Sequence, residues 1–135
     1  MKAKLKFPIR LALFGLPLAA IVAAGFLSSA VAADQPLVAK GKTAFAACAA
    51  CHGTAPGVKK VGPTLFGIVG RKAGTAPGLK ASPALANSGK VWTPDQLDAF
   101  ITAPRKAVPG NRMPYPGMAN PEQRKALIAY LATLR

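Results

Sequence analysis

The sequence predicts an all-α domain in which three to five short helices are joined by long loops rich in glycine and proline. Capping signatures open two apolar segments, and a third segment repeats its apolar residues every three or four positions. No run of alternating apolar and polar residues indicates a β-strand. With 135 residues, 51% hydrophobic and 16% charged, the chain has room for one modest domain. This excludes both a multidomain enzyme and a polar disordered tail.

The first 33 residues have the features of a secretory signal peptide. Four basic residues stand at its start: Lys2, Lys4, Lys6 and Arg10. An apolar stretch over residues 11–27 follows, and small residues of the kind that signal peptidase accepts end the segment. We therefore expect cleavage after Ala32 or Ala33 and an exported domain over residues 34–135, located in the periplasm.

An uncleaved membrane anchor is the alternative for this segment. Extended to Ala33, the apolar run approaches the ~20 residues that span a bilayer. Gly15, Pro17 and Gly25 weaken it as a permanent helix, and the small residues 28–30 resemble the approach to a cleavage site. The sequence therefore favours cleavage, with no stable membrane span in the mature protein.

The N-terminal helix of the exported domain is predicted to lead into the two cysteines. Its apolar or small residues recur at spacings of three and four and so share one face: Leu37, Gly41, Ala44, Phe45 and Cys48. A glycine inside a helix costs roughly 1 kcal/mol relative to alanine. We expect Gly41 where another helix approaches closely.

Both cysteines and the only histidine lie in five consecutive positions, Cys48-Ala49-Ala50-Cys51-His52. The order C-x-x-C-H is the signature of covalent haem attachment. Helical spacing places Cys48 and Cys51 on one side, where each can form a thioether with a haem vinyl group, and directs His52 toward the iron. A disulfide is the alternative, but the thioredoxin type needs a βαβ setting that is missing here. We predict one covalent haem c with His52 as an axial ligand.

Two irregular stretches, residues 53–90 and 104–119, show no sustained apolar period. Most of the 13 glycines and 13 prolines stand in them. Loops longer than about 12 to 15 residues are uncommon in compact domains unless they are functional or disordered. Three short helices would not order so much loop, and we therefore expect the haem to supply the missing core.

Two further helices open with a capping residue followed by proline, at residues 93–96 and 120–123. The first must end before Pro104. Its predicted buried residues are Leu97, Phe100 and Ile101. The last helix has an apolar stripe with Tyr130 beside it, formed by Leu127, Ile128, Leu131 and Leu134. Its polar face is predicted to hold Arg124, Lys125 and Arg135.

The sixth position on the iron falls to a methionine, because the chain has no second histidine. Met1 leaves with the signal peptide, so the candidates are Met113 and Met118. Pro114 holds Met113 in an extended conformation that can project its side chain inward, whereas Met118 lies close to the cap of the last helix. The residues favour Met113 and leave Met118 as the alternative.

The chain resembles the class I c-type cytochromes, the family of mitochondrial cytochrome c and its bacterial relatives. The resemblance covers nearly all of the exported domain, in residues 41–45, 48–52, 62–72, 92, 109–114 and 127–131. It implies the cytochrome c fold, with the N- and C-terminal helices crossing at Gly41 and near Tyr130. It also implies that Met113 is the sixth ligand.

The resemblance further implies a set of residues that support the haem. The carbonyl of Pro63 is expected to accept the ring N–H of His52, and Arg71 and Trp92 are expected to help hold a haem propionate. Two positions depart from the mitochondrial pattern, which has tyrosines where this chain has Ala81 and Phe100. The redox potential therefore does not carry over.

These features predict a monomeric one-electron carrier rather than an enzyme. The alternative is a haem protein with a labile sixth site that binds gases or acts like a peroxidase, although no distal histidine or second haem motif supports it. Residues 34–135 keep 14 basic and 4 acidic residues, a formal charge of +10. We therefore expect acidic redox partners, among them a cytochrome bc complex, an oxidase, a reaction centre or a periplasmic dehydrogenase. No nucleic acid is expected, because basic and aromatic residues do not interleave.

The basic residues nearest the haem-binding segments would form the docking surface: Lys59, Lys60, Lys72, Arg105, Lys106 and Arg112.

Overall fold

The computed structural model of the protein describes residues 27–58, 60–78 and 80–135. It contains the helices α1 (Leu27–Ala44), α2 (Ala46–Ala49), α3 (Pro83–Ala86), α4 (Pro94–Thr102), α5 (Pro104–Ala107) and α6 (Pro121–Ala132). Phe45 keeps a helical backbone, so α2 continues α1, whereas Ala103 between α4 and α5 is not helical. Over the described residues, these six segments therefore form five separate helices. In the described ranges, β-pairing is limited to one bridge between Lys72 and Val91. The all-α prediction is confirmed.

Helix α1 begins ten residues earlier than predicted, at Leu27 instead of Leu37, and contains Pro36. The apolar repeat that guided the prediction starts only after this proline, which removes one backbone donor from the helix. Most of the predicted signal peptide, residues 1–26, lies outside the described residues. Among the residues that are described, the helices are too short or too polar to cross a bilayer.

The first and last helices cross at Gly41, as predicted. A Cβ atom built on Gly41 would lie 2.7 Å from the Cβ of Tyr130 and would overlap the carbonyl group of Ala126. Close by, the rings of Phe45 and Tyr130 pack with their centroids 5.6 Å apart. Only glycine allows the two backbones to approach this closely.

The predicted caps of α4 and α6 are confirmed. The Thr93 side chain accepts a hydrogen bond from the Gln96 amide, and Asn120 Oδ1 accepts from the amides of Glu122 and Gln123. Helix α4 ends at Thr102, before Pro104. The two stretches predicted as irregular each contain one short helix, α3 and α5. A helix of four residues is too short to show an apolar period, which explains why neither was predicted.

Arg124 is buried, although the sequence placed it on the polar face of α6. Its Nε donates to Asp98 Oδ1 at 2.7 Å, and its Nη1 donates to the carbonyls of Met118 and Ala119, both at 2.8 Å. These partners satisfy a cation that would otherwise be costly to bury. The side chain joins α4, the end of the second loop and α6.

Candidate functional site

Hydrogen bonds fix both the backbone and the side chain of His52. Its backbone amide donates to the Cys48 carbonyl at 2.9 Å, continuing the helical turn of α2. Its Nδ1 lies 2.8 Å from the Pro63 carbonyl oxygen. Because a carbonyl can only accept, Nδ1 carries the proton and Nε2 keeps its lone pair free for a metal.

The Gly62 backbone packs against the imidazole of His52. A Cβ on Gly62 would lie 2.6 Å from His52 Cε1 and 2.8 Å from Nδ1. The Gly62 amide also donates to the Cys51 carbonyl at 2.8 Å, which holds the loop against the helical turn. The ring is therefore confined on one side by backbone.

Cys48 and Cys51 are half-buried, and neither forms a disulfide. Burial raises the pKa of the Cys48 thiol, and the neighbouring Cys51 raises it further. Without haem, the Cys48 sulfur is therefore held as the thiol. Both side chains border the same cavity as His52.

This cavity has a volume of about 400 Å³, and its lining is mainly apolar. The apolar side chains come from the first loop and from α3, α4 and α6: Leu65, Ile68, Leu85, Leu97, Phe100, Ile101, Leu127 and Leu131. A cavity of this size with a Cys-Cys-His edge fits a porphyrin, which is large, flat and apolar. The donor set fits haem c in the same way, since two thiols and one imidazole are what its attachment requires.

Arg71 and Trp92, the two residues expected to hold a propionate, also line the cavity. Arg71 donates to the carbonyls of Thr64 at 2.8 Å and Phe66 at 3.0 Å, and burial lowers the pKa of its guanidinium. Its five N–H groups leave donors beyond these two bonds. Trp92 is buried, and its indole ring carries one N–H donor. Both residues can supply donors to a carboxylate in the cavity.

The two candidate methionines lie in different surroundings. Met113 is half-buried and lines the cavity. Met118 is buried in the hydrophobic core and does not line the cavity, and its amide donates to the Ile101 carbonyl at 2.9 Å. Of the two thioethers, only that of Met113 is brought to the cavity that His52 borders.

Sequence reasoning missed two residues beside Met113. Asn111 and Tyr115 both line the cavity. Burial raises the pKa of the Tyr115 phenol, and the nearby Cys48 adds to the effect. The available signals were the position of Asn111 two residues before Met113, which is typical of an Asx turn, and an aromatic residue next to a predicted ligand loop.

The two departures from the mitochondrial pattern are also found at the cavity. Phe100 packs against Trp92 with ring centroids 4.9 Å apart, and Ala81 contributes only a methyl group to the lining. Neither can donate a hydrogen bond through its side chain. The cavity therefore lacks two hydroxyl groups that the pattern would supply.

Several cations surround the cavity. Lys72, Lys80 and Arg112 line it, and Lys60, whose Nζ donates to the Ala49 carbonyl, is exposed nearby. No acidic side chain is among the described residues that line it. Lys59, also predicted for the docking surface, lies outside the described residues.

Residues 38–135 match the family model described as Cytochrome c. The chain is 50% identical over 88 residues to cytochrome c2 of Rhodopila globiformis, covering 65% of this chain and 83% of that protein. It is 49% identical over 98 residues to cytochrome c2 of Agrobacterium tumefaciens (strain II Chrys), covering 70% and 88% respectively.

Among solved structures, the chain is similar to cytochrome cH from Methylobacterium extorquens. The TM-score is 0.68 at 44% sequence identity, over 71% of this chain and 97% of that chain.

Proposed function

The chain belongs to the cytochrome c family, and from that premise we propose that it is a periplasmic one-electron carrier whose haem iron is ligated by His52 and Met113. The family binds one covalent haem c, and Cys48 and Cys51 fit its attachment motif. Bound haem supplies an iron that alternates between two oxidation states. The observation that carries the proposal is that Cys48, Cys51, His52 and Met113 border one apolar cavity.

The residues around the cavity favour electron exchange in which no bond to the iron is made or broken. The Pro63 carbonyl, 2.8 Å from Nδ1, keeps His52 in the tautomer whose Nε2 can bind a metal. The apolar lining excludes water, so few mobile dipoles reorient when the charge at the site changes. With both His52 and Met113 bound to it, the iron would have no free position for a substrate.

The charges near the cavity support docking to acidic redox partners. Lys72, Lys80 and Arg112 lie at the cavity, and Arg105 and Lys106 are exposed on α5. Complementary charge raises the association rate of such partners. Export to the periplasm is supported by the signal-peptide features of residues 1–33 and is part of the same proposal.

The absorption spectrum of the purified holoprotein tests the ligand assignment. Met113→Ala should abolish the far-red band that arises from thioether ligation of ferric haem. Met118→Ala, which removes the other thioether, should leave this band in place. Loss of the band in Met118→Ala alone would contradict the proposal, as would tight binding of carbon monoxide by the reduced wild-type protein.

A further inference from the structure

We infer that Asn111 is a positioning residue that fixes the Met113 backbone and thereby determines how firmly the thioether is held in the site. The inference rests on the proposed ligation by Met113. The side chain of Asn111 makes three hydrogen bonds to backbone groups. One of them reaches the first residue of α5, one reaches the residue that follows α5, and the third reaches Met113 itself.

The hydrogen bonds of Asn111 connect Met113 to a short helix. Its Nδ2 donates to the carbonyls of Pro104 and Val108, both at 2.8 Å. Its Oδ1 accepts from the Met113 amide at 3.0 Å. An amide group has two N–H donors, and here both are used, so Asn111 holds the loop from both ends of α5.

Helix α5 is a firm anchor for this connection. Pro104, its first residue, is among the fully buried side chains, and Val108, which follows the helix, is 3% exposed. The helix follows α4 after the single residue Ala103, whose carbonyl accepts from the Ala107 amide at 2.9 Å. A bond from Asn111 to α5 therefore ties Met113 to the packed part of the molecule.

Asn111 acts on Met113 through the backbone and not through the sulfur. Although the residue lines the cavity, both amide hydrogens already point to carbonyl oxygens, and no donor remains for a ligand in the cavity. Loss of the side chain should therefore leave the cavity lining apolar while freeing the Met113 backbone. The consequence we expect is easier displacement of Met113 by an added ligand.

Imidazole binding to the ferric holoprotein measures this displacement. In Asn111→Ala the apparent affinity for imidazole should rise about tenfold, since the net contribution of each lost hydrogen bond is worth a several-fold change. Asn111→Asp keeps an acceptor for the Met113 amide, but its second carboxylate oxygen would face the carbonyls of Pro104 and Val108 and repel them. We expect a similar rise in the affinity for imidazole. The matched control is Asn120→Ala, which loses two side-chain hydrogen bonds to backbone amides at the cap of α6. Its affinity for imidazole should stay within about twofold of the wild type.

Imidazole affinities within about twofold of wild type in both Asn111 variants would overturn the inference, as would an equal rise in Asn120→Ala. The thioether band of the wild-type protein distinguishes a failure of this inference from a failure of the proposed function. If the wild-type band is absent, Met113 is not a ligand and the proposed function itself fails.

Hydrogen exchange provides a measurement that needs no variant. The Met113 amide of the wild-type holoprotein should exchange at least about tenfold more slowly than an unstructured amide, and an unprotected amide would contradict the inference.

Discussion

At the scale of single residues, the contact between Gly62 and His52 leaves no space for a methyl group. A Cβ at position 62 would lie 2.6 Å from His52 Cε1, and the Gly62 backbone is held by its bond to Cys51. We expect Gly62→Ala to displace the imidazole, to lower the free energy of unfolding by about 1–3 kcal/mol and to shift the midpoint potential. Denaturant unfolding and a redox titration of the holoprotein check these effects.

Gly53→Ala is the control for this substitution. A Cβ at position 53 would lie equally close, 2.6 Å, to Val58 Cγ1 and 2.9 Å from Val58 Cβ, but these atoms belong to an exposed loop residue and not to the imidazole. The midpoint potential of Gly53→Ala should match that of the wild type. Equal shifts of potential in both variants would show that contact with His52 is not the cause.

Residue-level prediction has few alternatives where the chemistry is confined to few residue types. A chain with two cysteines and one histidine leaves little choice for haem attachment, and the structure gathers all three at one cavity with Met113. Asn111 was missed because its role depends on where the carbonyls of Pro104 and Val108 lie. Those positions follow from α5, which the sequence pattern does not reveal.

At the scale of elements, the crossing of α1 and α6 depends on Gly41. We expect Gly41→Ala to reduce the free energy of unfolding by about 3 kcal/mol or more, because the added carbon would overlap the backbone carbonyl of Ala126 and not a movable side chain. Thermal or denaturant unfolding of the holoprotein measures this. Lys42→Ala, on the exposed part of the same helix, should change stability by no more than about 0.5 kcal/mol. Similar losses in both variants would contradict a close helix crossing.

The buried Arg124 joins three elements. Its contribution to the free energy of unfolding is expected to come mainly from its hydrogen bonds to backbone carbonyls. The ion-pair partner Asp98 has a side chain 46% exposed, against 11% for Arg124, and so solvent screens the pair. Arg124→Met leaves the carbonyls of Met118 and Ala119 without their donor and should cost about 2–3 kcal/mol. Asp98→Asn should cost about 1 kcal/mol or less. A larger loss in Asp98→Asn, measured by denaturant unfolding, would show that the ion pair dominates.

Helix starts were predictable where local chemistry determines them. Thr93 and Asn120 each cap a helix whose next residue is proline, and these signals are contained in four residues. The start of α1 was predicted ten residues too late because the apolar repeat begins only at Leu37, although the helix itself continues through Pro36. The burial of Arg124 was missed because its partners are Asp98, 26 positions away, and two backbone carbonyls whose positions depend on the fold.

At the scale of the whole molecule, the core surrounds a space that the polypeptide does not fill. Without haem, the apolar side chains that line this space would face water or a void, and either would reduce the stability of a small domain. We expect Cys48→Ser/Cys51→Ser, produced without haem, to lose its fixed tertiary packing. Near-ultraviolet circular dichroism and proton NMR check this against the wild-type holoprotein. A haem-free chain with a native-like, dispersed spectrum would contradict it.

The basic charge of the domain predicts salt-dependent electron exchange. With an acidic redox protein, the second-order rate constant should fall about tenfold or more between low and high ionic strength, because salt screens the attraction. An uncharged small-molecule oxidant is the control, and its rate should change little. A protein-partner rate that is independent of salt would contradict docking through charge.

The contact of Gly41 with Ala126 also bears on the biogenesis of the protein. It joins residues 85 positions apart, so the contact between α1 and α6 can form only once the C-terminal segment of the chain has been made. The paired sulfurs at Cys48 and Cys51 are half-buried once the molecule has closed. We therefore expect haem to be attached to the two cysteines before the C-terminal segment docks. Helix α6 would then pack against α1 after the haem is in place.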